Sequence, residues 1–201
     1  MTPKAPEETR AKILKAAFEE IHERGFQGAG LSQIVERANI TKGGLFHHFE
    51  SKQDLGYAIV DELLGGNIQE FWVNPLARST DPVPDILKIL REEIEECSCK
   101  PAMLRLGCPL NNLAQEMSSI DEGFRARIEG IYEEWRGAIE KAFQEGLRLG
   151  TVRKGVRPKA VAAFIVSSHA GIIGTAKNAQ SVDLLKLSVQ GLKDYLESLR
   201  P

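Results

Sequence analysis

With 201 residues the chain is long enough to bury a proper core, as one large or two small domains. Its apolar content of 42% and charged content of 27% are those of an ordinary globular protein. A net charge of −2 excludes a broadly basic nucleic-acid binder, and residues 1–56 alone carry eight Lys/Arg against eight Asp/Glu. Any DNA-binding reading must therefore rest on where the charges sit.

The opening MTPKAPEETR is polar and has no secretory pattern, so residues 1–7 are expected to form a mobile leader. No apolar run approaches the ~20 residues of a membrane span. Three cysteines, Cys97, Cys99 and Cys108, are an odd number and read as reduced thiols. The expectation is a cytoplasmic protein without a membrane partner.

The first helix is predicted from about Glu8 to Arg24, with Ile13, Leu14, Ala17, Phe18 and Ile21 on one face. It ends at Gly25, and Phe26 anchors that end. The stretch LSQIVERANITKGGLFHHFESK follows. Leu31, Ile34, Val35 and Ala38 line one face of a short helix, and Asn39 tolerates the left-handed turn after it. Thr41 can cap a second helix whose buried side is Leu45, Phe46 and Phe49. Two short helices joined by three or four residues read as a helix-turn-helix, which sets its second helix into the DNA major groove. The exposed remainder, Lys42, Gly43, Gly44, His47 and His48, can meet phosphates and base edges, and Gly43-Gly44 reads either as a weak, poorly helical start or as room for close backbone approach to phosphate at a helix N-terminus. Glu19, Glu20 and Glu23 are placed on the far side of the first helix.

Ser51 opens a fourth helix, with Asp54 able to complete its cap and Leu55, Ile59, Leu63 and Ile68 as its apolar face. It runs through Gly65-Gly66 to Asn74-Pro75, so the boundary between a DNA-binding unit (1–50) and the remainder (51–201) falls at a helix, not a linker. After the loop 76–84, Pro84 opens a helix to about Cys97 carrying Ile86, Leu87, Ile89, Leu90 and Ile94, and Pro101 breaks it. Gly107-Cys108-Pro109 precedes the short helix PLNNLAQEMS. Asp121 starts the longest run, to about Leu149, with Phe124, Ile128, Ile131, Tyr132, Trp135, Ile139, Phe143 and Leu147. A nearly uncharged helix follows Arg157-Pro158, and Ser181 caps the last one, to about Leu199. The fold class is all-α, with about nine helices.

No catalytic set emerges. His22, His47, His48 and His169 lie on different helices apart from one adjacent pair, and adjacent helical side chains diverge too far to share a metal. No phosphate-binding glycine loop is present. Neither metal nor cofactor is expected, and the chain is not read as an enzyme.

Thr41, Lys42, Gly43, Gly44, Leu45, Phe46, His47, His48, Phe49, Ser51, Lys52 and Leu55 resemble the corresponding motif of the tetracycline-repressor (TetR) family, and the segment from Thr9 to Phe26 is similar to its first helix. The likeness covers about the first quarter of the chain. Gly30 stands where a capping Thr is usual, Asn39 where Gly is usual, and His48 where an aromatic ring is usual. The resemblance implies DNA contacts from Ser32, Thr41, Lys42, Gly43, Gly44, Phe46, His47, His48 and Lys52. It also implies a homodimeric regulator that binds a palindromic operator and is released by a small-molecule effector.

Phe164, Ser167, Ser168, Gly171, Gly174 and Thr175 fall along one stripe that allows close helix approach. That stripe reads either as packing inside one subunit or, with Leu185, Val189, Leu192 and Leu196 on the last helix, as a four-helix dimer interface. The resemblance implies the second. Phe71, Trp72, Met103, Leu106, Met117, Phe124, Ile128, Tyr132 and Trp135 read as plain core on composition alone. The resemblance implies an effector pocket there, with Cys108 beside it and Asn111, Asn112 and Gln115 as polar contacts. Cys108, just before Pro109, also sits where helix N–H groups would favour a thiolate, although a free Cys is commonly a small apolar filler. The alternatives are a redox- or electrophile-responsive regulator acting through Cys108, or a helical module without DNA-binding activity.

Overall fold

The computed structural model describes residues 4–201, and every regular element among them is helical. Helix α1 spans Lys4–Gly28, interrupted at Gly25 (φ 77°). The first part of the expected leader, residues 1–3, lies outside the described residues, and Lys4–Glu7 are helical instead. Helices α2 (Leu31–Ala38) and α3 (Lys42–His48) follow. A continuous helical run over 52–76, here α4, comprises Lys52–Ala58, Ile59–Leu64, Gly65–Ile68, Gln69–Val73 and Asn74–Leu76. Then come α5 (Pro82–Cys99), α6 (Pro101–Leu106), α7 (Pro109–Met117), α8 (Glu122–Leu149), α9 (Pro158–Ala179) and α10 (Val182–Glu197). The short α6 is an addition to the expected helices: Pro101 breaks α5 and also opens a new turn.

Two compact units emerge. The first takes the chain up to Gly65 together with Asn112–Ile128, and the second takes Gly66–Asn111 with Glu129–Pro201. This differs from a division at 50/51. The start of α4 and the 112–128 segment pack with the N-terminal helices, so α4, α7 and α8 each supply residues to both units.

In the first unit the apolar stripe of α1 (Ile13, Leu14, Ala17, Ile21) is buried, with Ile34 of α2, Leu45 of α3 and Leu55 of α4. Two segments of α4, Ile59–Leu64 and Gln69–Val73, adopt π-helical geometry. Each extra residue per turn rotates the following face, so Val60 and Leu64 are buried beside Ile59 whereas the expected Leu63 and Ile68 are only half-buried. Gly56 marks a close approach: a Cβ there would lie 2.5 Å from the Phe26 ring and 2.6 Å from Phe124. Phe26 and Phe124 meet edge to face at 4.7 Å, and Phe124 meets Tyr57 at 4.9 Å.

The second unit is built on Trp72, Val83, Ile86, Leu90, Trp135, Ile139, Phe143, Ile165, Leu192 and Leu196. By length and composition alone α9 is apolar enough to cross a membrane, which corrects the expectation that no run approaches that length. Its buried side, Val161, Ala162, Ile165, Val166, His169, Ile173 and Ala176, serves the core of this unit.

Candidate functional site

The helix-turn-helix is assembled by local chemistry. Asn39 takes φ 52°, ψ 52°, and its N–H and that of Ile40 bond back to Glu36 and Val35 at 3.0 and 3.1 Å, closing α2. The Thr41 hydroxyl accepts the Gly44 N–H at 3.1 Å, a cap contributing about 1 kcal/mol. Buried Leu45 and Phe49 then hold α3 by one face. On the other face Thr41, Lys42, Gly43, Phe46 and His47 are exposed, Gly44 and His48 are half-buried, and Ser32 is exposed on α2. Phe46, read from periodicity as buried, is 41% exposed, and Lys42 Nζ lies 6.0 Å from its ring centroid. The ring of His47 packs against that of His48 at 5.2 Å.

Arg37 of α2 fixes this pair of helices to α1. Its guanidinium meets Glu19 at 3.3 Å, Glu20 at 3.2 Å and Glu23 at 3.0 Å. Glu20, a buried carboxylate, also meets Arg24 at 2.9 Å. The three acids thus face α2 as its docking charges, and Lys12, Lys15 and Lys42 are among the exposed cations of the unit.

A second corner involves Lys52. Its ammonium donates to the Gln27 carbonyl at 3.3 Å and lies 5.0 Å from the Phe26 ring centroid, and burial lowers its pKa. The expected phosphate ligand is therefore already engaged within the protein. Beside it the Glu116 carboxylate accepts the Phe26 and Gln27 N–H groups at 2.8 Å each. Glu116 has no counterpart in the sequence reading, because a lone Glu on a short helix carries no pattern.

The residues named for an effector pocket are shared between the two units. Met117, Phe124 and Ile128 are buried in the first unit, where Phe124 belongs to the aromatic knot with Phe26 and Tyr57. Asn112 also groups with the first unit. Phe71 is 53% exposed and Met103 36%; at Phe71 the cause is the π geometry, which turns Trp72 inward in its place. Leu106 is half-buried on α6. What the second unit gathers is Trp72, Tyr132 and Trp135 around His169. Trp72 and Trp135 lie 4.8 Å apart, and His169 meets their edges at 5.5 and 5.0 Å. The His169 imidazole bonds through Nε2 to both Glu93 carboxylate oxygens, at 2.8 and 3.0 Å.

Cys108 packs against the smaller cluster of Cys97, Ile173, Ala176 and Leu185, within electrostatic reach of Glu93 and Tyr132. The Asn111 and Leu110 N–H groups do favour its thiolate, as the Cys-Pro position suggests, but burial outweighs them and the nearby Glu93 charge adds to it, so the thiol is pushed up. Burial likewise carries Cys97 to about 11 and the Tyr132 phenol to about 12.

The expected dimer stripe divides in two. Leu185, Leu192 and Leu196 are buried in the core of their own subunit, which corrects their assignment, and Val189 packs against that core. Gly174 faces Asn111 inside the subunit, 4.0 Å from where a Cβ would stand. Phe164 (48% exposed), Ser167, Gly171 and Thr175 remain on the surface, with Ser168 half-buried and Leu187 of α10 71% exposed. Phe164 stacks edge to face on Tyr195 at 4.6 Å, beside an apolar groove of about 370 Å³.

The chain is similar to known regulators over most of its length. It is 28% identical over 172 residues to the transcriptional regulator AcuR of Cereibacter sphaeroides, covering 82% of this chain and 74% of that protein. It is 24% identical over 171 residues to the HTH-type transcriptional repressor DhaR of a Mycobacterium species, covering 82% and 80%. A TetR transcriptional regulator from Chloroflexus aurantiacus superposes with a TM-score of 0.84 at 25% identity, covering 98% of each chain. Residues 13–59 match the bacterial regulatory proteins of the tetR family, and residues 87–192 match the tetracyclin repressor-like C-terminal domain. The second match spans more than half of a chain whose N-terminal unit is a capped helix-turn-helix, and the chain belongs to the TetR family of transcriptional regulators, which are non-enzymatic DNA-binding proteins.

Proposed function

We propose that this regulator is a cytoplasmic repressor that binds a palindromic operator as a homodimer and leaves it when a small molecule binds the second unit. The observation that carries the reading is the exposed face of α3, where Thr41, Lys42, Gly43, Phe46 and His47 stand clear of the protein on a helix held by its cap and two buried side chains, Leu45 and Phe49. A rigid helix presenting short side chains and the Lys42 ammonium suits the major groove, and the backbone N–H groups of Lys42 and Gly43 suit a phosphate. We assign base contacts to Thr41, Gly44, His47 and His48 and backbone contacts to Ser32, Lys42 and Gly43.

Dimerisation is supported by the surface of α9 and α10, where Phe164, Gly171, Thr175 and Leu187 present an apolar, small-residue face. The effector site is assigned to the cluster around Trp72, Tyr132, Trp135 and Cys108. The repressor DhaR, similar over four-fifths of its length, supports repression over activation. Control through a reactive Cys108 is disfavoured, because its raised pKa leaves little thiolate.

The test is selection of bound duplexes from a random pool by the full-length protein. Enrichment of a two-fold symmetric sequence is the expected result. Recovery of an unchanged pool would favour the reading of a helical module that does not bind DNA.

A further inference from the structure

Trp135 is 1% exposed and His169 5% exposed, and the indole Nε1 of one and the imidazole Nδ1 of the other are buried without a hydrogen-bond partner among the described residues. Their rings stand 5.0 Å apart, near-perpendicular, with Trp72 closing a third side. Such orphaned buried groups are uncommon, since each forgoes the hydrogen bonds it would make in water. The two differ in kind. The indole N–H can only donate. His169 Nε2 lies 2.8 Å from the Glu93 carboxylate, so in the neutral imidazole the proton sits on Nε2 and Nδ1 is left as a lone pair. In that tautomer one buried donor and one buried acceptor lie on adjacent rings.

A hydroxyl group complements that pair: its oxygen accepts from the indole and its proton goes to the imidazole. A carboxylate has no proton to give Nδ1, an ammonium has no lone pair for the indole, and a hydrocarbon satisfies neither. We propose that the effector site of this regulator selects a neutral hydroxyl compound with an apolar or aromatic body, such as a phenol, read by Trp135 and His169 and oriented by Glu93. This rests on the effector-bound reading above and narrows it to a ligand class. The Trp72 and Tyr132 rings would take the apolar body, and Glu93 acts as a positioning residue that holds the imidazole in one tautomer.

The chain has two tryptophans, and both belong to this cluster, so the indole N–H signals of the ¹⁵N-labelled full-length protein report on it directly. Phenol, toluene and benzoate are titrated in turn, and release of the selected duplex is followed in parallel. Phenol is expected to move the Trp135 signal downfield and saturably, with toluene and benzoate weaker by about tenfold or more. Trp135→Phe, which keeps a ring, is expected to lose about tenfold in phenol affinity while Trp72 still reports. Toluene or benzoate binding as tightly as phenol, with DNA release, would overturn the hydroxyl class and leave the effector site standing. Indole signals that none of the three compounds moves would also overturn the proposal, since bound water would then be the partner of the pair. Release of DNA by phenol without any indole shift would overturn the placement of the effector site itself.

Discussion

Glu116 accepts the main-chain N–H of Phe26 at 2.8 Å, and of Gln27 at the same distance, just where α1 breaks at Gly25. A helix end leaves such groups without intrahelical partners, and a carboxylate meets two at once. A Cβ at Gly25 would stand 2.9 Å from Glu116 Oε2, so the glycine supplies both the left-handed φ and the room. Glu116→Ala is expected to destabilise the first unit by about 2–3 kcal/mol, read as a lower urea midpoint at unchanged slope. A midpoint equal to wild type would mean that water replaces the carboxylate without loss.

Asp121 caps α8, and its pKa is held below the ordinary value first by the Phe124 N–H and then, against burial, by the Tyr57 hydroxyl and Gln53. A depressed carboxyl pKa stabilises the fold above the unfolded value, about 3.9, and that contribution is lost as pH falls through the lower folded value. Asp121→Asn should therefore be less stable than wild type at pH 6, with the gap closing below about pH 4. A gap of equal size at pH 6 and pH 2.5 would show that the charge of Asp121 is not what matters.

A Cβ added at Gly171 would have nothing within 4 Å among the described residues, so a side chain can leave the backbone there without a clash. Gly171→Leu should remain folded yet sediment as a monomer, because the added side chain obstructs only a facing copy. A fully dimeric variant would move the interface off α9.

Burial dominates at Cys108. At pH 7 it should react with iodoacetamide more slowly than the exposed Cys99, followed by mass spectrometry of the peptides. Faster alkylation at Cys108 would revive a redox or electrophile response.

Helix positions and caps are legible in the sequence because they are local: Thr41, Ser51 and Ser181 each accept the N–H three residues on, as their side chains suggest. The break at Gly25 and the left-handed Asn39 follow from the same chemistry. What periodicity misjudges is non-local. The π turns in α4 rotate Trp72 inward and Phe71 outward, and no local pattern encodes that register shift. Leu185, Leu192 and Leu196 form an apolar stripe that fits a dimer seam and a subunit core equally well; the fold uses it for the core. His169 looks isolated along the chain, since Glu93, 76 positions away in sequence, meets it only after folding.

Paired α3 helices that read a two-fold site must lie about one DNA turn, roughly 34 Å, or a multiple apart to enter grooves together. The direct measurement is binding of the full-length protein to the selected duplex and to the same duplex with one half-site scrambled, each over a range of salt. Two-fold recognition requires an even number of chains per intact duplex and affinity for the scrambled one lower by about tenfold or more. Lys42→Ala should also reduce the salt slope by about one per subunit. Equal affinity for both duplexes, or a single chain bound per intact site, would contradict it.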